Sequence, residues 1–128
     1  MRYWCLVLCF AMSLIACVHT TKVAFLDFQN DSSSQITISS KINKEAEYSE
    51  DFRLDPGKSD LFYMYEEAPG KEETVFDSFN EVRITNADGC AIILDKNDIR
   101  ELAKRSSEGH RWTVYIGDGV FDEAGCAK

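Results

Sequence analysis

From residue 23 onward, apolar and polar positions alternate in short runs separated by turn-forming residues. Residues 23–29 (VAFLDFQ) set Ala24, Leu26 and Phe28 on one side and Val23, Phe25 and Asp27 on the other, the two-residue period of a strand. Residues 30–34 (NDSSS) read as a turn, because Asn, Asp and Ser side chains bond their own backbone. Residues 35–42 (QITISSKI) follow as a second strand with Ile36 and Ile38 in register, so the first two elements read as a hairpin. The polar stretch 43–51 is a loop or a ragged strand edge, and Phe52 to Leu54 leads into Asp55-Pro56-Gly57, where Pro presets φ and Gly supplies a positive φ.

Residues 58–65 carry Leu61-Phe62-Tyr63-Met64-Tyr65, apolar or aromatic on both faces. That suits a central strand covered on both sides, or a strand with one face left for a partner. Residues 66–74 (EEAPGKEET) form an acidic turn around Pro69-Gly70. Beyond it Val82 and Ile84 alternate with Glu81, Arg83 and Thr85, Asn86-Ala87-Asp88-Gly89 makes a hairpin-type turn, and residues 90–94 (CAIIL) are a buried strand. At Asp95 the period changes. Asp95 and Asp98 resemble an N-cap with an acidic first turn, Ile99, Leu102 and Ala103 share a helical face, Glu101 can pair with Arg105, and Gly109 is available as a stop. Residues 111–116 (RWTVYI) are the last strand, with Trp112, Val114 and Ile116 on the core face. About seven short strands, with one short helix before the last of them, make an all-β chain: a single β-sandwich, immunoglobulin-like or transthyretin-like.

The N-terminal segment breaks this alternation. Arg2 supplies a positive start, residues 5–14 (CLVLCFAMSL) form an apolar run too short to span a bilayer, and Leu14-Ile15-Ala16-Cys17 closes it. This leader resembles the lipobox signal of bacterial lipoproteins: Leu, a small or aliphatic residue, Gly, Ala or Ser, then Cys. The resemblance implies diacylglyceryl transfer to the Cys17 thiol, cleavage before Cys17, and acylation of the new amine. It divides the chain into a signal peptide (1–16), a lipidated tether (17–22) and the sandwich domain (23–128). Two or three acyl chains hold a protein to a membrane where one gives only marginal binding. Val18 rather than Asp after the lipidated residue resembles the outer-membrane sorting signal, on the periplasmic or surface face of the envelope.

The leader also changes the cysteine count. Of five cysteines, Cys5 and Cys9 leave with the signal peptide and Cys17 carries lipid, so Cys90 and Cys126 remain as a pair in an oxidising compartment. A disulfide between them is expected.

With 128 residues the chain is one domain, and its net charge of −8 argues against nucleic acid as a partner. Beside a membrane, the acidic surface keeps the domain off anionic headgroups. No Gly-x-Ser-x-Gly nucleophile motif, no phosphate-cradling Gly loop, no metal-ligand spacing and no cofactor motif occurs. The expected function is therefore non-enzymatic: a lipid-anchored interaction module of the bacterial envelope. Its candidate partner-binding residues are Tyr63 and Tyr65 and the acidic Glu66, Glu67, Glu72 and Glu73, which suit an envelope protein or a basic one. The alternatives are an inhibitor of a basic, lysozyme-like hydrolase, and an envelope glycan or peptide hydrolase working through loop carboxylates. Trp112 with Tyr63, Tyr65 and Tyr115 is a further candidate, as a carbohydrate platform, against a core role for Trp112.

Overall fold

The two-residue periods of the sequence become two facing sheets in a computed structural model, which describes residues 22–42, 47–49, 51–67, 74–107 and 110–126. The strands are β1 (Lys22–Asp31), β2 (Ile36–Ile42), β3 (Phe52–Leu54), β4 (Ser59–Glu67), β5 (Phe79–Thr85), β6 (Ala91–Asp95), β7 (Ala103–Arg105) and β8 (Arg111–Gly117). A 3-10 helix, Thr74–Ser78, and two α-helices, α1 (Lys96–Leu102) and α2 (Asp118–Glu123), complete the described residues. One sheet has the order β4-β1-β8-β7 and the other β3-β2-β5-β6. This is the expected all-β sandwich.

Each inward row follows the sequence pattern. Leu26 and Phe28 from β1, Ile36 and Ile38 from β2, Val82 and Ile84 from β5, Ile92 and Leu94 from β6, and Val114 and Ile116 from β8 meet in one core. Helical residues close its ends: Val75 and Phe76 from the 3-10 helix, Ile99 from α1 and Phe121 from α2.

The hairpin expected between β1 and β2 does not form, because the two strands lie in different sheets. The cause is Asn30, which is fully buried rather than a surface turn residue. Its Nδ2 donates to the carbonyls of Ser34 (2.8 Å) and Leu54 (2.9 Å), and its Oδ1 accepts from the Ser32 N–H (2.9 Å). These bonds satisfy a buried amide and steer the chain across the sandwich instead of back along β1. In place of β2, β1 takes β8 as a parallel neighbour and β4 as an antiparallel one.

The turn at Asn86 does make the expected hairpin between β5 and β6. Gly89 has φ of 81°, a left-handed conformation that disfavours a side chain, and the Asn86 Oδ1 accepts from the backbone N–H groups of Asp88 and Cys90.

Asp95 caps α1 as expected, accepting from the N–H groups of Asn97 and Asp98 while Asp98 accepts in return from the Asp95 N–H. The helix ends earlier than its pattern suggests. Ala103 leaves it to pair with Val114, so β7 stands between α1 and the last strand despite its weak β propensity. The helical pairing expected between Glu101 and Arg105 is replaced, because Arg105 now lies in a strand with its guanidinium 5.6 Å from the Trp112 ring centre. Gly109 lies outside the described residues. Cys90 and Cys126 are at disulfide distance, with Cα atoms 5.9 Å apart, and they tie the start of β6 to the chain after α2.

Candidate functional site

The sheet containing β1 turns one face to the core and the other outward, and the outward face is the unusual one. Strand register places Val23 beside Glu66, Phe25 between Met64 and Arg111, and Asp27 between Leu61 and Thr113 on that face. Val23, Leu61 and Met64 are 46%, 44% and 59% exposed, three of the four large apolar side chains that are exposed among the described residues. The fourth, Ile93, sits alone on the other sheet. Scattered apolar residues on a surface need no special reason, but a contiguous group on neighbouring strands marks a contact surface.

Of the two readings of its apolar composition, a central strand or one with a face left for a partner, β4 does not fit the first: among the described residues it is flanked by β1 only. Its composition is explained by a bulge. Register shifts between Leu26 and Asp27, so that Leu26 faces Tyr63 and Asp27 faces Leu61, with Phe62 as the extra residue. Phe62 turns inward onto Phe28, edge to face with ring centres 4.9 Å apart. Tyr63 and Tyr65, opposite the buried Leu26 and Ala24, lie partly buried against the core and stack on each other at 6.2 Å. Beyond Ser59 and Asp60 at its start, the exposed side chains of β4 are therefore Leu61, Met64 and Glu66, not the tyrosines.

The β4 edge is also long. It has 9 residues, against 3 in β3, 5 in β6 and 3 in β7, the other three edges. Short strands and edge lysines are common protections against unwanted pairing. β7 has both, with Lys104 and Arg105, whereas β4 has neither length restriction nor an internal Lys or Pro. The Leu61 N–H donates to the carboxylate of Asp60, at 2.8 Å. A side chain there occupies a donor that a neighbouring strand would use.

Asp27 is the charged element of the face. It is 7% exposed, and Arg111 donates to its Oδ2 while lying over the Phe25 ring at 4.9 Å. The arginine neutralises the carboxylate and covers an aromatic face at once. Asp27 Oδ1 has no hydrogen-bond partner among the described residues.

The opposite sheet carries a polar cluster on its outer face. Tyr48 is placed between two cations, Lys41 Nζ at 4.7 Å and the Arg83 guanidinium at 4.3 Å from its ring centre, and Lys41 pairs with Glu81 at 2.9 Å. The Lys41 ammonium, with help from the Tyr48 hydroxyl, holds the Glu81 carboxyl below its ordinary value, and Glu81 in turn raises Lys41. The Asp95 carboxyl is likewise lowered, by the Asp98 and Asn97 N–H groups it caps. A carboxyl that titrates lower when folded adds stability above its unfolded pKa, about 4.3 for Glu, and loses it as pH falls through the folded value. Acid denaturation is therefore expected to begin below about pH 4.3, with Glu81→Gln showing a shallower fall in Tm between pH 5 and 2.5 than wild type. Parallel slopes for the two proteins would contradict it.

Of the remaining expected site residues, Glu66 is exposed on β4 and Glu67 ends that strand, while Cys17, Glu72 and Glu73 lie outside the described residues. The carbohydrate platform is divided by the sheet. Trp112 is opposite Leu26, on the core side, where it meets Phe76 edge to face at 5.1 Å. Tyr115 is opposite Gln29, on the outer side, beneath Lys104 at 5.1 Å. Their rings do not share a surface. A shallow hollow between α1 and α2 is lined by Leu94, Leu102 and Val120 together with Asp98, Glu101 and Glu123. Its three carboxylates are exposed to water, and among the described residues no three His, Cys, Asp or Glu side chains converge as a metal site.

Fold and surface together define an all-β sandwich in which, among the described residues, the long strand β4 lies at a sheet edge beside an exposed apolar face. Compared with known proteins, the chain matches no family model, no curated protein and no solved structure.

Proposed function

We propose that the protein is a lipid-anchored component of a bacterial envelope, probed from the membrane by partners that dock on β4 and the adjoining outer face of β1. It is a non-enzymatic interaction module. Two features support this reading. The leader has the order and spacing of a lipobox, so Cys17 carries the acyl chains and Val18 directs the protein to the outer membrane. No described helix is long and apolar enough to cross a membrane, and an acylated Cys17 supplies an attachment that needs none.

The observation that carries the binding surface is the exposure of Val23, Leu61 and Met64 in adjacent register positions beside the longest edge. Apolar side chains give such a contact its area, and the strand edge gives it backbone hydrogen bonds. Glu66 and Asp60 fringe it with negative charge, which also fits a basic partner such as a lysozyme-like hydrolase.

A photo-crosslinking amino acid at position 64 of the full lipidated chain, activated in intact cells, is expected to yield a discrete adduct. The same probe at Glu101, exposed on α1 away from the surface, is the control. Equal adducts from both positions, or none from position 64, would remove β4 as the binding surface.

A further inference from the structure

We infer that the outer face of the sheet containing β1, at the end where β1 begins, lies against the lipid bilayer itself, with Val23, Leu61 and Met64 at the boundary between headgroups and acyl chains. The inference rests on the proposed acylation of Cys17 and on the reading of this face as a contact surface, and it names what the face touches. It uses the face of the sheet and not the edge of β4.

Position along the chain carries the inference. Strand register sorts the face into rows: Val23 beside Glu66, then Phe25 between Met64 and Arg111, then Asp27 between Leu61 and Thr113, with Lys104 beyond Thr113. Alternate residues of a strand are about 6.7 Å apart, so the three exposed apolar side chains fall within roughly 13 Å along the strands. They occupy the end of β1 that the tether enters. Val23 is the sixth residue after Cys17, and six residues span at most about 20 Å. An acylated Cys17 sits at the bilayer surface, which holds Val23 within about that distance of the lipid. Ile93, the other exposed large apolar residue among those described, lies on the opposite sheet.

Charge points the same way. Over these three rows the charged residues described are Asp27 and Glu66 against Arg111 and Lys104, an even balance, whereas the whole chain carries −8. The acidic excess therefore lies elsewhere. Beside an anionic leaflet, such a molecule turns its neutral side to the headgroups and its acidic bulk away. A basic protein would instead be drawn to the acidic bulk. Asp27 is buried and neutralised by Arg111, so it sets no free charge against lipid. Both cations lie on the side away from β4, Arg111 over the Phe25 ring and Lys104 over the Tyr115 ring. Long basic side chains of this kind rest their stems on apolar surface and extend their charged ends to water or phosphate. Three half-exposed apolar side chains would hold a free protein to a membrane only weakly. A short tether raises the effective concentration to about millimolar, at which a weak contact is populated.

Two positions make the test. Met64 and Ile93 are equally exposed, at 59% and 60%, on opposite sheets. With Cys17 acylated and Cys90 and Cys126 at disulfide distance, Met64→Cys or Ile93→Cys in the full lipidated chain supplies one thiol for an environment-sensitive fluorophore. The chains are reconstituted in vesicles of phosphatidylethanolamine and phosphatidylglycerol. Nitroxide-labelled lipid is expected to quench the probe at position 64 about threefold or more over that at position 93, with a blue-shifted emission at position 64 alone.

Equal quenching at the two positions, or none at either, in a chain that floats with the vesicles overturns the bilayer contact and leaves the anchor standing. The photoprobe at position 64 is expected to join phospholipid; capture of a protein chain in its place overturns the bilayer as occupant while the contact surface stands. A chain that does not float with the vesicles removes the anchor and the bilayer contact together.

Discussion

Phe76→Ala is expected to lower the unfolding free energy by about 3–5 kcal/mol, the usual cost of emptying a buried aromatic site. Phe76 is fully buried in the 3-10 helix ahead of β5. Its ring meets Trp112 of β8 edge to face at 5.1 Å, and the Arg100 guanidinium of α1 lies 5.4 Å from its centre. One side chain thus joins the 3-10 helix, a strand of the other sheet and α1. Those elements are fixed by a sheet ladder or a capped helix, so they cannot collapse into the space a truncated ring leaves. Phe76→Leu keeps most of the volume and is expected to cost well under half as much. Urea unfolding of the three proteins checks this; a loss below about 1 kcal/mol for the alanine variant would contradict the central place given to Phe76.

Loss of the Cys90–Cys126 bridge is expected to cost about 2–4 kcal/mol. The two residues are 36 apart in sequence, and the chain-entropy estimate for closing such a loop is about 4 kcal/mol, an upper figure. The bridge holds more than an end of the chain. α2 has only 6 residues and no side-chain cap, yet it delivers Phe121 to the core. A helix that short has little stability of its own, so the covalent tie after it keeps Phe121 in place. The double variant Cys90→Ser with Cys126→Ser, and wild type under reducing agent, are expected to show the same fall in Tm, of about 10 °C or more. A reduced wild type as stable as the oxidised one would show that the tie contributes nothing.

Much of this fold is legible in the sequence where the period is unbroken. Val82 and Ile84, Ile92 and Leu94, and Val114 and Ile116 face the core as their alternation requires, and Asp95 announces α1 through a capping geometry that needs only local residues. What was not legible depends on distant partners. Nothing around Asn30 signals that its side chain will reach the Leu54 carbonyl 24 residues away, and without that bond the turn composition of residues 30–34 suggests a hairpin. The strand at Ala103–Arg105 exists because β8 pairs with it, against local preference. The 6-residue α2 follows Gly117, which offers no capping side chain to announce it.

The candidate surface was legible only in part. The aromatic run at residues 61–65 drew attention to β4, but the ordinary two-residue period cannot tell which of five consecutive apolar residues are outward. A bulge set by the pairing with β1 decides it, sending Tyr63 and Tyr65 inward and leaving Leu61 and Met64 exposed. Asp27 looked like one more outward polar position. Its burial under Arg111 follows from the parallel β1–β8 pair, in which residues 84 apart become neighbours.

The proposed lipid attachment at Cys17 underlies every step from this domain to the proposed role in the envelope, and metabolic labelling with radioactive palmitate tests it most directly. Wild type expressed in bacteria is expected to take up label and sediment with membranes, while Cys17→Ala takes up none and retains its unprocessed leader. Equal labelling of both proteins, or an unlabelled wild type that is nonetheless cleaved and released, would contradict lipid anchoring and with it the placement of the β4 surface beside a membrane.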